Sequence, residues 1–167
     1  ELLGFVGGQA AGCAPVATAF ERGTDVIEPV RVPDTIVRSL AIGNPADGRY
    51  AVGLANDTGG SIEAIEDTVT AEAIRDVARL EGIYPETAGG VTLAAAAAAR
   101  RRGVIRDGDE VVALLTGNGL KTPDARSLGL GDAYPFELAP AVIGKLHLVH
   151  MAIGHFRNGF PESQAAL

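Results

Sequence analysis

Lysine is almost missing from this chain: only Lys121 and Lys145 occur in 167 residues. Cysteine is rarer still, with Cys13 alone, which excludes an intramolecular disulfide. Trp is absent and only 5% of residues are aromatic, so a core must be assembled mainly from Ala, Val, Leu and Ile. No apolar run reaches the roughly 18 residues of a membrane-crossing helix, and no signal peptide is recognisable. The cytosol is therefore the default compartment. With a net charge of −7, nucleic acid and anionic membrane are poor partners, since phosphate binding needs clustered Lys and Arg. The one basic run, Arg100-Arg101-Arg102, ends an Ala-rich stretch and reads as a complement to a helix dipole. Cys13, between Gly12 and Ala14, reads as packing filler rather than a nucleophile.

What is present in quantity is glycine, 22 residues, and small apolar side chains. The pattern alternates strands and helices, which argues for an α/β fold with a parallel twisted sheet and flanking helices. Leu2 to Gly8 reads as a strand and Ala10 to Glu21 as a helix that, because of Pro15, either begins near Ala14 or bends there. Pro33 to Ile42 reads as a helix ended by Gly43-Asn44-Pro45. Tyr50 to Leu54 and Ile65 to Val69 read as short strands, with Ser61 to Ala64 helical between them. Thr70 reads as an N-cap and Gly82 as the terminator of the helix that follows. Ala88 to Arg102 is the next helix, closed by Gly103, and Asp109 to Leu115 the next strand. Beyond a loop from Asp124 to Pro135, Ala139 to Arg157 reads as one helix with a rough apolar stripe. His147 and His150 share a face of that helix, with His155 following. They lack the ligand count and supporting shell of a metal centre, so no metal is expected.

The strand Val111 to Leu115 runs into Thr116-Gly117-Asn118-Gly119-Leu120-Lys121. Sheets of parallel strands bind ligands beyond their carboxyl ends, and two glycines there let the backbone approach a flat ring closely. Alone, those letters equally describe a plain strand-to-loop turn. Upstream lie Glu81-Gly82-Ile83-Tyr84-Pro85-Glu86-Thr87-Ala88-Gly89-Gly90-Val91-Thr92-Leu93-Ala94-Ala95, then Val32 to Pro45 with its Ile-Gly-Asn-Pro ending, and near the start Gln9-Ala10-Ala11-Gly12-Cys13-Ala14-Pro15. In this order and at these separations the four segments resemble the threonine synthases, fold type II pyridoxal-phosphate enzymes of the tryptophan-synthase-β-like kind. The resemblance covers about residues 4–123.

The resemblance implies a cofactor, pyridoxal phosphate, and a parent that converts O-phosphohomoserine and water to threonine and phosphate. It implies that Thr116 meets the cofactor's ring nitrogen, that Gly117 and Gly119 shape the backbone beside the ring, and that Glu86 lies near its edge. A solvated loop carboxylate is the other reading of Glu86. Asn44 reads either as lying near the site's entrance or as a simple helix C-cap. The family's Schiff-base lysine and glycine-rich phosphate cradle precede the segment resembling Gln9 to Pro15, so no catalytic residue is assigned here. Residues 1–123 then read as the second half of a catalytic domain within a larger two-lobed fold, and 124–167 as a loop plus a C-terminal helical extension. Glu1 in place of Met reads as a fragment, inactive alone, whose partners are a small-molecule amino-acid phosphate, the missing N-terminal half and a second copy in a homodimer. Two alternatives stay open. A serine or threonine dehydratase would tend to carry a Ser-Gly-Gly turn, whereas a non-enzymatic remnant would have no upstream lysine motif at all.

Overall fold

The computed structural model describes residues 3–122 and the strand at 146–150. In chain order these form β1 (Val6–Ala10), α1 (Pro15–Glu21), α2 (Gly48–Asp57), β2 (Ser61–Ile65), α3 (Asp67–Glu81), α4 (Thr87–Arg101), β3 (Val111–Leu115) and β4 (Leu146–His150). The α/β class holds: β1 pairs with β2 and β3 with β4, both in parallel. Helices α1 and α2 cover one face of the β1–β2 pair, where Ile62 joins Val16, Val52 and Ala55. Helix α4 covers the other face and extends onto β3, so that Ala10, Ile65, Ala94, Ala113 and Leu115 share one core with Val77 of α3. Among the described residues no helix is long and apolar enough to cross a membrane.

Small residues make this core possible without aromatics. A Cβ added to Gly8 of β1 would come within 2.9 Å of Ala95 Cβ on α4, and one on Gly90 within 2.7 Å of Ile74 Cγ1 and the Thr70 carbonyl on α3. Helix, strand and second helix are thus packed backbone to backbone. Into the remaining space fit Leu93 and Leu115, 1% and 0% exposed, each stabilising the fold by about 1.5–3 kcal/mol. At its far end α4 is tied by Arg102, which donates to both oxygens of the buried Glu63 on β2 at 3.1 and 3.2 Å. Arg100 pairs with Asp107. The arginine run therefore serves named carboxylates as well as the helix terminus.

Several local expectations are corrected. Strand β1 is shifted to Val6–Ala10, and Gln9 in it accepts the amides of Val16 and Ala17 at 2.9 and 3.0 Å, capping α1. Tyr50, Val52 and Leu54 mimic a strand's alternation, yet they lie in α2. Its inner face follows Gly48, Val52 and Ala55, while Tyr50 and Leu54 are exposed. Ser61–Ile65 is a strand rather than a helix, and Ile65–Val69 is no strand, because α3 already begins at Asp67. Thr70 is inside that helix rather than its cap, its hydroxyl donating to the Glu66 carbonyl at 3.1 Å. Gly82 does end α3, with a left-handed φ of 67°. Leu146–His150 is a strand where a helix was expected, and the helical argument for grouping His147 with His150 falls with it. The rest of that expected helix, His155 and the 124–135 loop lie outside the described residues.

The segment 33–42 is not a helix beyond the 3-10 turn Arg38–Leu40, because its backbone is engaged elsewhere. The Asp34 amide donates to the Gly12 carbonyl at 3.1 Å. Asp67, in the first turn of α3, accepts the Thr35 hydroxyl at 2.6 Å and the Ile36 amide at 2.9 Å, and Val37 is driven fully into the core. Cys13 beside this junction is also fully buried, and burial pushes its thiol pKa up, which fits packing rather than nucleophilic attack. Asp67→Ala should lower stability by about 1–3 kcal/mol by orphaning the Ile36 amide, and Asp67→Asn by less. Urea unfolding of the two variants measures this; equal stability of Asp67→Ala and the native chain would contradict it.

Candidate active site

At the carboxyl end of the β3–β4 pair the chain turns through Thr116, Gly117 and Asn118 into the 3-10 turn Gly119–Lys121. Facing it is the link between α3 and α4. The Glu86 amide donates to the Gly117 carbonyl at 2.9 Å, and the Gly119 amide to the Tyr84 carbonyl at 2.8 Å. Pro85 and Asn118 form an antiparallel bridge between these bonds. Residues 84–86 and 117–119 are therefore a short backbone clip at the mouth of the sheet. Asn118 closes its own end by accepting the Leu120 amide at 2.9 Å through Oδ1.

Both glycines have a side chain where their own Cβ would stand. A Cβ on Gly117 would run into the Glu86 carboxylate, and one on Gly119 into the ring of Tyr84. The first obstacle is the end of a flexible side chain and the second a rigid ring. Glu86 is half-buried and also begins α4, its carbonyl accepting the Gly89 amide at 2.9 Å. Gly89 in turn permits contact with Pro85, since a Cβ there would lie 2.7 Å from Pro85 Cβ. Next to Glu86 the hydroxyl of Thr87 is fully buried and, among the described residues, has no hydrogen-bond partner.

The structure thus brings together Glu86, Gly117 and Gly119, with Thr116 at the strand end beside them. Thr116 is half-buried and its hydroxyl makes no hydrogen bond among the described residues. A half-buried donor left open beside two buried glycines suits a flat ligand that carries an acceptor atom at its edge. Lys121 is exposed at the end of the turn. Asn44 is exposed in a bend and caps no helix, as none precedes it there. Tyr84 and Pro85 escaped the sequence reading. A signal for them existed, because Tyr84 and Glu86 share the two-residue spacing of Gly117 and Gly119, as antiparallel pairing requires.

Comparison with known proteins gives one family model, pyridoxal-phosphate dependent enzyme, matching residues 3–117. A threonine synthase of Methanocaldococcus jannaschii is 36% identical over 125 residues, 75% of this chain and 31% of that protein. One from Mycobacterium bovis is 35% identical over 149 residues, 89% of this chain and 39% of that protein. The chain thus spans roughly a third of the length of these relatives. Among solved structures, maize serine racemase superposes with a TM-score of 0.46 at 18% identity, covering 58% of this chain and 29% of that one.

A flexible side chain against Gly117 and a backbone carbonyl against Gly12 make a testable contrast. Gly117→Ala should change stability by less than about 1 kcal/mol, because the Glu86 carboxylate can swing aside. Gly12→Ala should destabilise by about 1–3 kcal/mol or more, because its Cβ would meet the Asp34 backbone carbonyl. Chemical denaturation midpoints decide it, and the reverse order would contradict the geometry.

Proposed function

The chain belongs to the pyridoxal-phosphate dependent enzyme family, and from that premise we propose that the clip is the ring-nitrogen side of the cofactor site of a threonine synthase. Pyridoxal phosphate supplies an electron sink when bound. On this reading Thr116 holds the ring nitrogen by donating its hydroxyl hydrogen, which requires that nitrogen to be unprotonated. Gly117 and Gly119 let the backbone lie beside the ring. Glu86 presents its carboxylate at the ring's edge, where it orients polar groups of the ligand.

The observation that carries this reading is the open Thr116 hydroxyl at the end of β3, beside a glycine clip. Likeness to threonine synthases over most of the chain favours O-phosphohomoserine as the substrate of the whole protein, with threonine and phosphate as products. Because this chain corresponds to about a third of those relatives, catalysis belongs to a longer assembly. Within it, residues 1–123 act as the second half of the catalytic domain in a two-lobed fold. The region after 123 forms an extension whose strand 146–150 lies parallel beside β3. A complementary N-terminal part and a homodimeric cytoplasmic protein complete the proposal.

Replacing Thr116 by Val in the intact protein keeps the volume and removes the donor. Turnover of O-phosphohomoserine should fall on the order of 10- to 100-fold, equivalent to about 1–3 kcal/mol, with the unfolding midpoint little changed. An unaltered rate would refute the role of Thr116. This chain by itself should form no stoichiometric borohydride-stable adduct with pyridoxal phosphate at Lys121, which peptide mapping checks; such an adduct would assign that lysine a role denied to it here.

A further inference from the structure

Tyr84 takes no part in the chemistry assigned above, yet its side chain is pressed hard against the turn. A Cβ on Gly119 would meet Cδ1, Cε1 and Cζ of its ring together, so the Gly119 Cα rests on the flank of the ring with no room for a methyl group. The same residue accepts the Gly119 amide at 2.8 Å through its carbonyl. Ring and backbone of Tyr84 therefore hold one partner from two directions. Such a pairing fixes a distance, because the ring is rigid and the hydrogen bond tolerates little stretching.

We propose that Tyr84 is a positioning residue for the Thr116 hydroxyl, its ring acting as the spacer that sets the height of the Thr116–Gly119 turn over the start of α4. The proposal rests on the reading of Thr116 given above. Thr116 has no side-chain hydrogen bond among the described residues, so its direction follows the backbone on either side. On the strand side that backbone is held by Leu115, which is fully buried. On the other side, among the described residues, the side chains nearest an added Cβ are Glu86 at Gly117 and Tyr84 at Gly119. The Glu86 carboxylate ends a flexible chain and yields. The Tyr84 ring, with two torsions and a flat body, does not.

The test uses the intact protein that carries this chain, in the native form and as Tyr84→Ala, Tyr84→Phe, Gly119→Ala and the double variant Tyr84→Ala/Gly119→Ala. Hydrogen exchange of peptides spanning 83–90 and 115–121 reads the clip without any ligand. Binding of pyridoxine 5′-phosphate to the cofactor-free protein reads the site. Tyr84→Ala should raise clip exchange about tenfold and weaken binding, while Tyr84→Phe stays within about twofold on both. Gly119→Ala should be as damaging as Tyr84→Ala. The double variant should lie closer to native than Gly119→Ala, since the added methyl then occupies space the ring has left. Exchange in β1 and β2 reports global folding, and should it rise in Tyr84→Ala, Tyr84→Leu takes that variant's place. Unchanged clip exchange without the ring, a Phe variant as poor as Ala, or a double variant no better than Gly119→Ala would each overturn the spacer. If the exchange pattern holds but Thr116→Val leaves pyridoxine 5′-phosphate binding intact, the spacer stands and the reading of Thr116 falls.

Discussion

The close approach of α4 to everything around it is the constraint on which the described structure depends. Gly8 on β1 and Gly90 on the helix remove the side chains that would separate the backbones, and Ala94, Ala95 and Ala99 keep the helix surface thin. Dispersion and apolar burial then act over short distances on many small groups, which replaces the large aromatic contribution of an ordinary core. A core of this kind tolerates little added volume, and its fit is felt along the whole helix.

That fit is transmitted to the site. The N-terminus of α4 is fixed by the sheet and by α3, Gly89 rests on Pro85, and Pro85 bridges Asn118. The turn after β3 is thereby referenced to the helix through backbone atoms. Two hydrogen bonds, 2.9 and 2.8 Å long, place Gly117 and Gly119 opposite Glu86 and Tyr84. A candidate site built this way takes its geometry from rigid elements rather than from its own loop, as positioning for chemistry would require. Elsewhere the same rule holds, with Asp67 on α3 gathering the irregular 33–37 segment and Glu63 on β2 gathering Arg102.

Legibility in the sequence follows the range of the forces involved. Helix α4, the end of α3 at Gly82 and strand β3 are encoded locally, by Ala content, a left-handed glycine and a continuous apolar run, and they lie close to where those signals put them. Tyr50 to Leu54 misleads because its period-2 spacing of large apolar residues is real, while the burial that selects helix comes from Gly48 lying 2.9 Å from Ile27 for any added Cβ. Segment 33–42 misleads because tertiary bonds from Gly12 and Asp67 outcompete helical ones. Of the site, Thr116, Gly117, Gly119 and Glu86 are legible as a resemblance, and the structure gathers them. What joins them, the pairing of 84–86 with 117–119, is long-range and leaves only a matched spacing in the letters.

The central claim is that an uncharged hydroxyl donor, Thr116, faces the cofactor's ring nitrogen in the intact protein. The most direct measurement is nitrogen-15 NMR of the protein reconstituted with pyridoxal phosphate labelled at that nitrogen. The account predicts the chemical shift of a neutral, hydrogen-bonded pyridine nitrogen, moving toward the unbonded value in the Thr116→Val variant. A pyridinium shift, or a neutral one indifferent to Thr116, would contradict it.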